Sequence, residues 1–280
     1  MTDNPSNLVS TDWLQDHLED PNIVILDTTL KKRPDGSSID QEAIYIPGAQ
    51  EFNYDTDICA RDTDLPHMLP TPEQFGDAAR ARGIGANTLV VCYDALNVFC
   101  SPRGWWMFKI MGHENVVVLD GGLPKWQAEQ RPTQAAFSEP KANGNFAANF
   151  RPEMVYDITQ VQDSMNTQGV QTIDARSMGR FNATEPEPRP GMRGGHIPGS
   201  SCIPFTELLT DGCFKPAAEL KSILENTIKS DTEQIVFSCG SGVTAAILAL
   251  AADECGYSNV AVYDGSWSEW ANRQDLPAAT

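Results

Sequence analysis

The sequence predicts an α/β protein of two tandem, similar domains, each a mostly parallel sheet flanked by helices. Three observations predict it. Short apolar runs of strand character alternate with helical patterns along the chain. The same order of runs, loops and landmark residues occurs twice. With 280 residues, 41% of them hydrophobic, the chain can fill two cores of ordinary domain size.

The strand candidates of the first half are NIVILD at 22–27, LVVCYD at 89–94 and VVVLD at 116–120. Those of the second half are QTID at 171–174, IVFSC at 235–239 and VAVYD at 260–264. Apolar runs of this length between polar turns suit strands buried on both faces. Residues 72–82 and 243–254 read as helices. Strand–helix alternation argues for parallel sheets, whose ligands bind beyond the carboxyl ends of the strands.

The repeat fixes the organisation. Cys239 lies 145 residues after Asp94, Trp270 lies 144 after Trp126, and Asp174 lies 147 after Asp27. Ile197-Pro198-Gly199 follows Ile46-Pro47-Gly48 by 151 residues. Ordered matches with slowly drifting offsets mark a duplication. Residues 128–152 carry three prolines and little periodicity, as a connection between domains does. The expected division is a first domain at 1–130, a linker at 131–152 and a second domain at 153–280.

Composition excludes several classes. A net charge of −18 repels phosphate backbones and anionic lipid, so neither nucleic acid nor membrane is an expected partner. A local cationic pocket would stand out against that field. The most apolar stretch, 243–252, is half of what a spanning helix of roughly 20 residues needs. The start, MTDNPSNLVSTDWLQDHLED, is acidic and polar, so no export signal is expected. Seven cysteines, an odd number with no Cys-x-x-Cys, argue against a disulfide scaffold or zinc ribbon. Reduced thiols in a cytoplasm, with no metal or cofactor, are the expectation.

One loop carries chemistry. Cys239 ends a strand, Gly240, Ser241, Gly242, Val243 and Thr244 follow, and a helix begins near Thr244. Backbone N–H groups at a helix start lack partners, and the helix end is partly positive. Two glycines let successive amides turn inward as an anion nest. Such a setting favours a thiolate, and then a persulfide sulfur, at Cys239. The plain alternative is a buried core cysteine. The duplicate loop has Asp94 in place of Cys239 and continues ALNVFCSPRG, longer and nearly free of glycine, so it is expected not to form the same nest. A thiol phosphatase needs an arginine six positions after the nucleophile, and Ala245 stands there.

These motifs resemble the two-domain rhodanese-like sulfurtransferases, and CGSGVTA resembles the loop of the 3-mercaptopyruvate sulfurtransferase subclass. Thiosulfate enzymes of that fold carry two basic residues where this chain has Gly240 and Ser241. The resemblance extends over HMLP (67–70), WWMF (105–108), LDGG (119–122), GRF (179–181), TEPEPR (184–189), GHIPG (195–199) and DGSWSEW (264–270). It implies tandem rhodanese-like domains, non-catalytic then catalytic, with the site in the cleft between them. It implies a persulfide cycle in which Cys239 takes sulfur from 3-mercaptopyruvate and releases pyruvate. Thioredoxin, a small thiol such as glutathione, or cyanide then removes the sulfur. Arg180 and Arg189 match substrate-binding arginines, while Gly240, Gly242, Val243 and Thr244 form the sulfur cradle. For Arg180 a surface salt bridge is the alternative. A proposed Ser-His-Asp relay would map to Ser241, His67 and Asp57, with Asp55, Asp62 and Asp64 close by. The alternative is that Ser241 satisfies its own loop and His67 makes an interdomain hydrogen bond. A thiosulfate sulfurtransferase and a persulfide-carrying relay module are the competing functions.

Other residues read as packing. His196 is expected to serve a turn, Cys92 and Cys202 a core, and Trp105 and Trp106 a helix face. Cys59 and Cys100 are candidates for redox sensitivity near the cleft, and Arg103 for a contribution to it.

Overall fold

The computed structural model describes residues 6–39, 42–140 and 142–280. The first five residues of the acidic start lie outside that set. The first domain holds β1 (Leu8–Val9), α1 (Thr11–Asp16), β2 (Ile23–Asp27), β3 (Gln50–Glu51), α2 (Pro72–Ala81), β4 (Leu89–Tyr93), α3 (Ser101–Ile110), β5 (Val116–Leu119) and α4 (Gly122–Ala128). Its sheet runs β1-β5-β4-β2-β3, every pair parallel.

The second domain repeats this plan. It holds β6 (Val155–Tyr156), α5 (Ile158–Ser164), β7 (Val170–Asp174), α6 (Met178–Phe181), β8 (Ser201–Cys202), β9 (Leu209–Thr210) and β10 (Cys213–Phe214). Then come α7 (Ala217–Thr227), β11 (Gln234–Ser238), α8 (Ala245–Glu254), β12 (Val260–Tyr263) and α9 (Ser266–Trp270). The sheet order is β6-β12-β11-β7-β8, again all parallel, with β9 and β10 a separate antiparallel ribbon. Registers match across the duplication: Asp27 lies opposite Tyr93 and Asp174 opposite Ser238. Asp94 and Cys239 therefore leave the central strands of their sheets at equivalent points.

Local sequence explains the helices that build the core. Thr71 and Gln74 form a capping box at α2, with Pro72 at the first helical position. α8 buries every residue from Ala245 to Ala252. A helix that is apolar all round belongs inside a protein. α8 packs on α3, where Trp105, Trp106, Met107 and Phe108 are all buried. The two domains thus share one continuous hydrophobic core, which includes Leu26, Phe52 and Trp106 of the first and Ile173, Phe237 and Leu248 of the second. Each buried Leu or Ile in that interface contributes roughly 1.5–3 kcal/mol. The duplicated Trp126 and Trp270 sit in separate outer cores, one per domain.

The connection has no α-helix or strand among its described residues but is no free tether. Gln134 pairs with Tyr45, Gly144 N–H donates to Arg80 O, and Arg151 N–H donates to Ile110 O. Phe146 is buried in the shared core. Gly144 is required there, since a Cβ would fall 1.9 Å from Ile84 O. The segment runs strapped along the first domain.

Candidate active site

Cys239 leaves β11 buried, at the foot of a cavity of about 760 Å³ between the domains. Gly240, Ser241, Val243 and Thr244 line the same cavity. α9 grips the back of the loop. Ser266 Oγ accepts from Cys239 N–H at 3.2 Å and Gly242 N–H at 3.1 Å, and donates to Tyr263 O at 2.8 Å. Trp267 N–H donates to Cys239 O, and both the N–H and hydroxyl of Ser268 donate to Gly240 O. Ser266 takes φ +51° to do this, which costs a non-glycine residue about 1–3 kcal/mol. The N–H groups of Gly240, Ser241, Val243, Thr244 and Ala245 have no protein acceptor among the described residues. These are the donors expected of an anion nest.

Gly242 departs from its expected place. It does not line the cavity, its N–H is taken by Ser266, and its φ of +76° turns the chain. A Cβ there would lie 2.9 Å from Arg103 Nη1 and 3.0 Å from Asp264 O. Its contribution is loop shape, since only glycine fits that conformation and space.

Three arginines stand on one wall. Arg176 is fully buried and compensated by Asp174 Oδ2 at 2.7 Å and Glu187 Oε1 at 2.6 Å. Arg180, on α6, shares Glu187 at 2.6 Å. Arg189 makes no ion pair among the described residues, and its Nη2 donates to Ser241 Oγ at 3.2 Å. Three guanidiniums face two carboxylates, leaving a positive excess inside a chain of net charge −18. A Cβ on Gly240 would lie 3.1 Å from Arg180 Nη2 and 3.6 Å from Arg189 Nη1. Both guanidiniums therefore stand over the residue next to the cysteine. Burial pulls Arg189 below its ordinary value, and the charge of a Cys239 thiolate opposes that pull. Arg180 does carry an ion pair, but with a buried carboxylate rather than a surface one.

His67 reaches the loop from the first domain. Its Nδ1 lies 2.9 Å from Ser241 Oγ and its Nε2 lies 3.1 Å from Asp55 Oδ1. Asp55 can only accept, so Nε2–H donates to it, and in the neutral imidazole Nδ1 is then the acceptor for the Ser241 hydroxyl, whose oxygen also accepts from Arg189. The carboxylate is Asp55, not the expected Asp57. Asp57 is exposed and takes the Thr56 hydroxyl, because residues 53–58 form a tight turn. Asn53 Oδ1 accepts from Asp55 N–H within that turn. Burial pushes the Asp55 carboxyl upward. The hydrogen bond from His67, with the electrostatic pull of His67 and of Lys32, outweighs it and leaves the group below its usual value.

Arg103, expected at the cleft, lies behind the loop, fully buried and off the cavity wall. Trp105 and Trp106 pack on α3 as expected, and His196 stacks on Phe181 with its Nδ1 on Phe181 O. Cys92 is fully buried, whereas Cys202 is half-buried beside Arg176 O. Cys59 and Cys100 are buried and line no part of this cavity, which removes the basis for singling them out. Ser266, Ser268, Glu187 and Asp264 were not singled out from sequence. Their only signal was membership of the DGSWSEW and TEPEPR runs.

The architecture is a duplicated, all-parallel α/β fold, with a cysteine loop at the centre of one sheet and a carboxylate at the matching point of the other. The rhodanese-like domain family matches residues 10–129 and 157–273, and the chain belongs to that family. It is 41% identical over 272 residues to a 3-mercaptopyruvate sulfurtransferase of Escherichia coli, covering 96% of each chain. It is 42% identical over 294 residues to thiosulfate/3-mercaptopyruvate sulfurtransferase 1, mitochondrial, of Arabidopsis thaliana, covering 96% of this chain and 77% of that one. The crystal structure of SseA from Escherichia coli, a 3-mercaptopyruvate sulfotransferase, superposes with a TM-score of 0.82 at 37% identity. That match covers 94% of this chain and 99% of the other. No helix among the described residues is long and apolar enough to cross a membrane.

Proposed function

We propose that this chain moves sulfur from 3-mercaptopyruvate to a thiol, with residues 153–280 as the catalytic domain and 1–130 as its partner. The observation that carries the reading is Arg189, without an ion pair among the described residues, at the Cys239 loop with Arg180 beside it. Two guanidinium forks suit the carboxylate and keto oxygen of an α-keto acid. Held there, the donor presents its sulfur to Cys239.

The Cys239 thiolate attacks that sulfur, a sulfur–sulfur bond forms, and the carbon–sulfur bond breaks. Its electron pair goes to the carbon as the enolate of pyruvate. The proton of the donor thiol passes by way of Ser241 and His67 to that carbon, with Asp55 holding the imidazole. The unpaired loop amides stabilise the charged sulfur. In the second half, an acceptor thiolate takes the outer sulfur and Cys239 is restored. Thioredoxin, a small thiol such as glutathione, or cyanide suits that step, and a cytoplasmic setting suits free thiols.

A second reading, thiosulfate as donor, draws support from the same two arginines, which could hold a sulfonate. Against it stand Gly240 and Ser241, which add no cation of their own. Donor kinetics side by side decide between them. Pyruvate release from 3-mercaptopyruvate should exceed thiocyanate formation from thiosulfate by at least about tenfold in kcat/KM. Equal efficiencies would overturn the donor assignment. Mass spectrometry after mixing with 3-mercaptopyruvate alone should find one added sulfur on Cys239. Its absence would favour a relay module loaded by another protein.

A further inference from the structure

We infer that Arg103 and Asp264 form a positioning clamp that sets His67 against Ser241. The inference rests on the relay reading above. Neither residue lines the cavity, so neither touches substrate. Both are buried, one from each domain, and they pair at 2.6 Å between Nη2 and Oδ1.

The pair holds the His67 segment from two directions. Arg103 Nη2 donates to His67 O at 2.7 Å. Asp264 Oδ2 accepts from Leu69 N–H at 2.9 Å. Between these two fixed points His67 adopts φ +61°, a left-handed conformation a side-chain-bearing residue holds only when its surroundings impose it. That conformation sets the imidazole between Ser241 and Asp55. Arg103 also reaches the cysteine loop, with Nη1 3.4 Å from Gly242 O, and its guanidinium lies over the Trp106 ring at 4.7 Å. One guanidinium therefore registers three segments: the His67 loop, the cysteine loop, and the turn after β12.

A buried ion pair is weak evidence for stability, because desolvation offsets attraction. Its use here is geometric. The clamp ties the proton-handling group of one domain to the sulfur-handling loop of the other.

The test is single-turnover pyruvate release with enzyme in excess over 3-mercaptopyruvate. Arg103→Gln should slow it about 10- to 100-fold, as expected when a proton-transfer geometry is lost. Asp264→Asn keeps an oxygen for Leu69 N–H and should lose less, and it serves if Arg103→Gln does not fold. The distinguishing readout is non-additivity. In a His67→Ala background, either substitution should add less than about a twofold loss. A multiplicative loss in the double variants, or full rate in both single variants, would overturn the clamp while leaving the relay intact. Full rate in His67→Ala alone would instead bring down the relay, and the clamp with it.

Discussion

At the end of β4 the chain places Asp94, and at the end of β11 it places Cys239. The two loops leave equivalent central strands and enter equivalent buried helices. Both collect backbone amides. In the first, Asp94 Oδ1 accepts from Leu96 N–H at 2.8 Å, and Oδ2 accepts from Cys100 at 2.9 Å and Ser101 at 2.7 Å. The nearly glycine-free loop does not form the same open nest: its amides gather around its own carboxylate. In the second loop, the amides at 240, 241, 243, 244 and 245 take no protein acceptor among the described residues. The brace differs as well. Leu123 N–H holds Asp94 O as Trp267 N–H holds Cys239 O. Gly122, however, stands where Ser266 stands, and both have positive φ. A glycine suffices behind a loop with a built-in anion, while the cysteine loop uses a strained serine whose hydroxyl takes two amides. One loop is closed by its own side chain, and the other is held open for an incoming anion.

The sharpest way to break this comparison is to make the second loop like the first. Cys239→Asp should abolish persulfide formation and pyruvate release, by at least about 10³-fold, because the nucleophile is gone. Denaturant unfolding should show a cost of less than about 2 kcal/mol, because the carboxylate finds unpaired amides waiting. A much larger cost would mean that the amides are not arranged as they are around Asp94.

A smaller effect separates the two first-domain aspartates near His67. Asp55→Asn should lower the single-turnover rate roughly 10- to 100-fold, as loss of an orienting carboxylate does. Asp57→Asn, on an exposed side chain, should leave it within about twofold. The opposite ranking would restore Asp57 to the relay.

The smallest effect is in stability against pH. Burial raises the Asp94 carboxyl, and the amides of Ser101, Cys100 and Leu96 pull it back, to about 6 in the folded protein. An unfolded aspartate titrates near about 3.9. Between roughly pH 4 and 6 the folded state keeps a proton that the unfolded state has released, so the group's contribution to stability falls as pH rises through that window. The full drop is on the order of 3 kcal/mol and is complete above about pH 6.5. Wild type minus Asp94→Asn, measured by denaturant unfolding at several pH values, should shrink across that window. A difference that is flat or grows with pH would show that the amides dominate burial.

The repeat was legible because buried parallel strands are short apolar runs with sharp polar ends, and duplication left their order intact. Cys239 was legible because a cysteine between a strand and a glycine-bearing helix start is a local pattern. Arg180 and Arg189 were legible through the resemblance of GRF and EPEPR to the family's motifs. Asp57 was misplaced because several aspartates lie close together in sequence, and a turn at 53–58 decides which one faces the histidine. The open, braced form of the cysteine loop was beyond local reading, because Ser266 and Ser268 act from the other side of β12.

By itself, then, the sequence determined the two-domain α/β plan, the cysteine-bearing loop and the pair of arginines near it, since these rest on periodicity, local backbone chemistry and contiguous motifs. The tertiary structure alone decided that Asp55 backs His67, that Glu187 pairs with Arg176 and Arg180 while Arg189 has no ion pair among the described residues, and that Arg103 meets Asp264 across the domain boundary. The pairings of Asp55 and Glu187 are short-range but are set by how irregular loops turn, while Arg103 and Asp264 lie 161 residues apart and meet only because the domains pack on a shared core.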